Sequence, residues 1–390
     1  MEKVISTEKI PIKLWLNDIE SGALNQTKNL ANHPYAFHHI AIMPDAHEGF
    51  GMPIGGVLAT KDVIIPNAVG VDIGCGICAV RTSLQEIPID TLKGISGVIR
   101  KTIPVGFLHH KSKQKNELLP DPNKYNPNGM PIVNQEYNSA LTQIGTLGGG
   151  NHFIEIQKGD DGYIWLMVHS GSRNIGFKVA NHYNKLAKTL NEKWKSKIPN
   201  KWDLAYLPLD SKPGQTYKKE MLYCVDFAFH NRMLMIEKIK QSINYFYDDV
   251  IYGDLINIAH NYASLEKHFR EEVIIHRKGA TLASVDTTGI VPGSQGVKSY
   301  IVKGKGSSDS FQSCSHGAGR RLGRRQAQRQ LDLKSEQKAL EEKGILHSIK
   351  SKRDLDEAPS AYKDITTVMD NQRDLVEIII ELTPLAVIKG

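Results

Sequence analysis

Apolar and polar positions alternate in short runs along the first part of the chain, and glycines break the runs. His39-Ile40-Ala41-Ile42-Met43, Val63-Ile64-Ile65, Asn67-Ala68-Val69-Gly70-Val71 and Ala79-Val80-Arg81-Thr82 read as strands, because branched apolar residues fit a pleated, half-buried surface. A glycine cluster at 145–150 precedes two further strand-like runs, 153–156 and 163–168. The period then changes. Residues 176–196 and 217–247 space their apolar positions as helices do and carry many lysines. Strands and turns return over 272–302, and the Arg-, Gln-, Lys- and Glu-rich stretch 319–343 predicts an exposed helix. Residues 111–135, polar and rich in Lys, Asn and Pro, predict a long loop. With no internal repeat and no low-complexity linker, the pattern predicts one α+β domain over 1–390 with a helical insertion at about 176–247.

Composition narrows the function classes. Of 390 residues 40% are hydrophobic, enough for a large core, and 23% are charged, too few for a disordered polyampholyte. The net charge of +7 suits an anionic partner such as RNA or a nucleotide, without selecting one. The most apolar stretch, 375–388, is interrupted by Glu377, Glu381 and Pro384, so no membrane span is expected. The N-terminal Met1-Glu2-Lys3-Val4-Ile5-Ser6 lacks the apolar centre of a secretory signal, which predicts a cytoplasmic location. The four cysteines, Cys75, Cys78, Cys224 and Cys314, are then expected as thiols or metal ligands, not as a disulfide framework.

Metal-binding residue types gather in turns, mostly glycine-flanked, at five places. These are Met43-Pro44-Asp45-Ala46-His47-Glu48-Gly49, Gly70-Val71-Asp72-Ile73-Gly74-Cys75-Gly76, Gly148-Gly149-Gly150-Asn151-His152-Phe153-Ile154-Glu155, Val168-His169-Ser170-Gly171-Ser172-Arg173 and Ala259-His260-Asn261-Tyr262. One thiolate, one carboxylate and several imidazoles suit a transition metal. Asp72 and Cys75, three apart across a turn, can reach one centre. A thiolate can bridge two metals, and two divalent ions offset the charge of a polyphosphate during in-line displacement. Any one of these histidines taken alone is more often an ordinary hydrogen-bonded core residue than a ligand.

Two local patterns lead nowhere. Cys75-Gly76-Ile77-Cys78 has redox or zinc spacing, but it is a single pair without a βαβ context. Gly74-Cys75-Gly76-Ile77-Cys78-Ala79 fits a dinucleotide fingerprint, but a strand-like run follows where a helix is required. A sixth motif, Ser313-Cys314-Ser315-His316-Gly317-Ala318-Gly319-Arg320-Arg321, sets a histidine in a small-residue turn with arginines behind it. An imidazole nitrogen there can attack phosphorus to form a phosphoramidate while the arginines hold the anion. A helix start with a basic exposed face fits the same residues. No P-loop G-x-x-x-x-G-K-[ST] occurs, nor a K-x-D-G nucleotidyl-lysine motif.

Taken together and in order, these motifs resemble the RtcB family of RNA ligases, from about Pro44 to Gly390. Glu357-Ala358-Pro359-Ser360-Ala361-Tyr362-Lys363-Asp364 and the terminal Lys389-Gly390 also match. The resemblance implies a central mixed β core with a deep metal site, two Mn²⁺ ions, GTP and a histidine nucleophile. It implies Asp72, Cys75, His152, His169 and His260 as metal ligands, with Cys75 bridging, and His316 as the guanylylated residue. Asn151, Glu155, Pro292, Gly293, Ser294, Gly317, Ala318, Gly319, Tyr362 and Lys389 are implied around GTP, with Tyr362 stacking on guanine. Asp45 is the acidic position near the reacting ends.

The implied activity joins an RNA 3′-phosphate or 2′,3′-cyclic phosphate to a 5′-hydroxyl, in RNA repair or tRNA splicing. It runs through guanylylated His316 and an RNA–ppG intermediate, with the need for an activation factor left open. A metal-dependent cyclic phosphoesterase and a 3′-end guanylyltransferase without sealing are the alternatives. Cys314 stands where some relatives carry other small residues, and either tunes the reactivity of His316 or is simply a small buried residue; Gly323 stands where relatives often carry Ser, so a phosphate contact is expected to be lost there. RNA is expected along Lys178–Lys197 or the arginines 320–329, if these are more than solvated helix faces.

Overall fold

The alternating runs form two sheets that share one seam. The computed structural model describes residues 1–390, the side chain of Pro127 excepted. The first sheet orders its six strands Lys3–Ile5, Ile12–Leu14, Ala36–Phe50, Met52–Thr60, Glu271–Lys278 and Asn261–His268. It is mixed, because Ile12–Leu14 pairs parallel with Ala36–Phe50 and the other pairs are antiparallel. The second sheet orders seven: Ile256–Ala259, Gly76–Arg81, Ile164–Ser170, Phe153–Gly159, Val376–Ile388, Ser299–Gly304 and Thr288–Val291. Its pairs are all antiparallel.

That antiparallel order positions the site. In adjacent antiparallel strands the start of one lies beside the end of the next. The end of Ile256–Ala259, the start of Gly76–Arg81, the end of Ile164–Ser170, the start of Phe153–Gly159 and the end of Val376–Ile388 therefore share one edge. Register confirms it: Gly76 faces Ala259 and Ser170, Phe153 faces His169, and Ile388 faces Ile154. His260 is the single residue between Ile256–Ala259, an edge strand of the seven-stranded sheet, and Asn261–His268 of the other. Five distant segments thus converge where the sheets meet.

The helices Arg173–Lys193 and Lys212–Asn244 match the two predicted helical stretches. The longer one buries Met235, Ile236, Ile239 and Ile243 against Cys78, Val80, Leu166 and Val168 of the seven-stranded sheet. Each such side chain contributes about 1.5–3 kcal/mol by leaving water. All four cysteines are free and buried, and no described helix is long and apolar enough to cross a membrane.

Three local expectations change. The run 67–71 is not a strand, because Pro66–Val69 forms a short helix with Pro66 in its first turn, where its fixed φ and missing N–H are tolerated. The stretch 319–343 is not one helix. Arg324–Gln330 stops at extended Leu331, and Leu333–Glu341 starts again with Asp332 capping Ser335 N–H. The loop 111–135 contains short 3₁₀ turns and ends early, since the helix Pro131–Gln143 begins inside it.

Candidate metal centre and nucleotide cavity

At the shared edge, Cys75 Sγ lies 3.4 Å from His152 Nε2 and 3.3 Å from His169 Nε2, and Asp72 Oδ2 lies 3.1 Å from His152 Nε2. Two overlapping groups result, Asp72–Cys75–His152 and Cys75–His169–His260, each with ligand atoms within 4.8 Å of one another and both containing Cys75. Backbone bonds hold the loops in place: Cys75 N–H donates to Asp72 O at 3.1 Å and His260 N–H to Cys75 O at 2.8 Å. Gly171 is required beside them, because a side chain there would meet Asp72 Oδ1 at 2.3 Å.

The protonation chemistry fits a bound cation. His152 Nδ1 faces Leu147 O at 2.9 Å. A carbonyl only accepts, so Nδ1 donates to it, and Nε2, which faces Cys75 and Asp72, is the nitrogen a cation would take. His260 Nδ1 is buried with no hydrogen-bond partner among the described residues. Burial, then the neighbouring histidines, push His169 and His260 well below the ordinary imidazole range, which keeps them neutral as ligands must be. Burial and then the Asp72 charge push the Cys75 thiol up. For Asp72, burial raises, but the His152 hydrogen bond and charge outweigh it and hold the carboxyl low. A buried thiol, neutral imidazoles and a carboxylate form a donor set suited to a first-row transition metal. Cys78, three residues on, turns instead into the apolar core.

The cluster opens into a cavity of about 900 Å³, large enough for a nucleotide. Asp72, Cys75, His169 and His260 line it, as do Asn151, Glu155, Pro292, Gly293, Ser294, His316, Gly317, Ala318, Gly319, Tyr362 and Lys389. His152 lies behind Cys75, and Asp45, fully buried, lies behind His316. Asp45 Oδ2 accepts from His316 Nδ1 at 2.6 Å and from His316 N–H at 3.1 Å. The His316 ring centre is 4.7 Å from that of His260. Gly319, at φ +74°, lets the turn pass Asp45, whose carbonyl would lie 2.1 Å from any Cβ.

Farther up the wall, buried Glu357 gathers Arg320 at 3.1 Å, Lys389 at 3.3 Å, Arg324 at 3.6 Å and the Tyr362 hydroxyl. Burial raises the Glu357 carboxyl, but Lys389 and Arg320 outweigh it and keep it below the usual range. Glu155, also buried, is pushed up to about 8 by burial, against the opposing charge of Lys389.

The family model described as "tRNA-splicing ligase RtcB" matches residues 26–128 and 123–390. The chain belongs to the RtcB family. It is 36% identical to the RNA-splicing ligase RtcB of Escherichia coli strain K12, covering 100% of this chain and 99% of that one. It is 31% identical to the tRNA-splicing ligase RtcB of Nanoarchaeum equitans, covering 98% and 95%, and 30% identical to that of Thermococcus kodakarensis, covering 95% and 92%.

Within this RtcB-family chain, the tertiary structure adds residues that sequence patterns leave unassigned. Arg232, fully buried in the long helix, donates to Gly74 O and Ser170 O at 2.9 Å each, bracing the loops before Cys75 and after His169. Its neighbour Asn231 reaches Gly171 O at 3.1 Å and accepts from Gly145 N–H at 2.7 Å. An Asn-Arg pair inside an apolar helix face was the available signal. Lys278 donates to Phe50 O at 2.6 Å and Asn67 O at 3.1 Å, and burial pushes it down to about 7. Cys314 is a core residue, as the small-buried-residue reading has it, and burial pushes its thiol up to about 12. Gly323 faces open space. Of the basic stretches, Lys188 pairs with Asp203 at 2.5 Å and Arg320 turns inward, while Arg321, Arg325 and Arg329 are exposed.

Proposed function

We propose that this chain is a GTP-dependent RNA ligase that joins RNA 3′-phosphate or 2′,3′-cyclic phosphate ends to 5′-hydroxyl ends, in RNA repair or tRNA splicing. The observation that carries the reading is His316, tethered through Nδ1 to buried Asp45 and facing a nucleotide-sized cavity beside the Cys75 cluster. With the Nδ1 proton held by the carboxylate, Nε2 keeps its lone pair for phosphorus. His316 Nε2 attacks the α-phosphorus of GTP, a P–N bond forms, and pyrophosphate leaves. An oxygen of the RNA 3′-phosphate then takes the guanylyl group, which frees His316 and leaves an RNA–ppG end. The 5′-hydroxyl oxygen attacks the RNA phosphorus, the bond to GMP breaks, and the hydroxyl proton passes to water. A 2′,3′-cyclic end first adds water, breaking its P–O2′ bond, to give the 3′-phosphate and a free 2′-hydroxyl.

Asp72, Cys75, His152, His169 and His260 would hold two Mn²⁺ ions, with Cys75 shared. The ions, when bound, supply charge neutralisation where phosphate oxygens crowd together. Glu155 would accept from the guanine edge, Tyr362 would stack on the base, and Asn151, Lys389 and the turns at Pro292-Gly293-Ser294 and Gly317-Ala318-Gly319 would contact the rest of GTP. The cytoplasm is the expected location, and an activation factor is compatible with the reading.

Labelling with α-phosphate-labelled GTP and Mn²⁺ tests this. The native protein should form an acid-labile, alkali-stable adduct and His316→Ala none. Metal-loaded native protein without an adduct, but still opening cyclic phosphates, would replace the ligase reading with the phosphoesterase one.

A further inference from the structure

Phe107 is 99% exposed and Leu108 65% exposed, and neither belongs to an apolar cluster. Yet their loop is tied down. Gly106 N–H donates to Gly148 O at 2.9 Å, Val105 bridges Gly148, Leu108 N–H closes a turn onto Val105 O at 3.2 Å, and His110 N–H donates to Thr142 O at 2.9 Å. The tip is therefore a fixed display of an aromatic ring, which costs surface free energy unless something covers it.

Its position links it to the cavity. Gly106 packs against Gly149 and Gly390, where any side chain on Gly390 would meet Gly106 N at 2.1 Å. Asn151 and Lys389, the cavity-lining residues two after Gly149 and one before Gly390, continue from those contacts, and Gly150 packs on Arg324 of the same wall. The charge around the tip is one-sided. From 101 to 115 the chain carries Lys101, Lys111, Lys113 and Lys115 and no acid, the nearest acids along it being Asp90, which pairs with Lys93, and Glu117. Among the described residues, Lys101, Lys111, Lys113 and Lys115 have no carboxylate ion-pair partner. An exposed ring amid unneutralised cations, at the rim of a site that handles phosphates, matches single-stranded nucleic acid, whose bases stack on aromatic faces while cations follow the backbone.

We propose that the 105–108 loop is a stacking platform for a base of the single-stranded RNA end entering the cavity, with Phe107 as its face. This rests on the RNA-ligase reading and assigns that substrate a subsite outside the catalytic pocket. The test is fluorescence anisotropy of a labelled single-stranded RNA bearing a 3′-phosphate, with native protein, Phe107→Ala and Phe107→Trp. Phe107→Ala should weaken RNA binding about ten-fold, the size expected for one base–aromatic stack, and Phe107→Trp should restore it. RNA affinity unchanged in Phe107→Ala overturns the proposal. So does a loss of binding to phosphatidylserine vesicles with RNA affinity intact, which assigns the loop to a membrane surface. GTP self-labelling, which needs no RNA, separates the two readings. If the native protein fails to label while Phe107→Ala still weakens RNA binding, the ligase reading falls and the platform stands.

Discussion

One oxygen of Asp45, Oδ2, receives both the ring Nδ1–H and the backbone N–H of His316, at 2.6 and 3.1 Å. The first contact selects the tautomer and the second fixes where the ring stands, so Asp45 acts on the histidine as a positioning residue. Its other oxygen, Oδ1, is buried without a partner among the described residues, so the carboxylate is held mainly through that imidazole.

Asp45→Asn should therefore slow guanylylation of His316 by roughly 10²–10⁴, the loss expected when an orienting carboxylate becomes an amide that can favour the wrong tautomer. Metal content should be unchanged. Adduct formation followed at saturating GTP and Mn²⁺ measures the rate, and elemental analysis measures the metal. A native rate in the variant would remove Asp45 from the mechanism.

Cys75 belongs to both ligand groups. Cys75→Ala should abolish activity and reduce bound Mn²⁺ from about two ions to below one, as removal of a shared ligand demands. The circular dichroism spectrum should stay native. Two ions retained in the variant would contradict the bridging role.

The Glu155 carboxyl sits at about 8 because it is buried. Guanine offers N–H donors, which bind the carboxylate form better than the acid. Below about pH 8 the free protein must lose that proton before it binds, so GTP affinity should rise with pH, up to about ten-fold per unit, and level off near 8. Calorimetry in buffers of different ionisation enthalpy should detect about one proton released per GTP near pH 7. Glu155→Gln should flatten the profile. A flat profile in the native protein would take Glu155 off the guanine.

Glu357 is a buried anion among Arg320, Arg324 and Lys389. Replacing it with Gln strands the mostly buried Arg320 and Lys389 and should cost about 3 kcal/mol of folding stability. The sign follows from its depressed carboxyl. The stabilisation is complete above the unfolded value of 4.5 and disappears as pH falls through the lower folded value. The gap between urea midpoints of native and Glu357→Gln should therefore be full near neutral pH and close in acid. A gap independent of pH would mean that packing, not charge, is lost.

Most strands and both long helices were legible in the sequence, because each carries a local signal: short, mostly apolar runs bounded by turn residues for 39–43, 153–156 and 163–168, and a 3.6-residue period for the stretches inside Arg173–Lys193 and Lys212–Asn244. The run 67–71 failed because Pro66 nucleates a turn that hydropathy alone does not register, and 319–343 failed because the chain turns extended at Leu331, which packs on the core, and Asp332 caps a new helix. The residue types of the metal cluster and the nucleophile motif could be read as candidates, since glycine turns advertise them.

What the sequence by itself determined is the inventory: which side chains can ligate, attack or hold an anion, and which segments carry them. Tertiary structure alone decided that the starts and ends of five segments share one edge of an antiparallel sheet, that Asp45 reaches His316 across 271 residues, and that Arg232 and Asn231 brace the loops from a helix behind them. Those relations depend on strand order and register. Both are set by the packing of many weak contacts across the whole core, and no local window of sequence contains that sum.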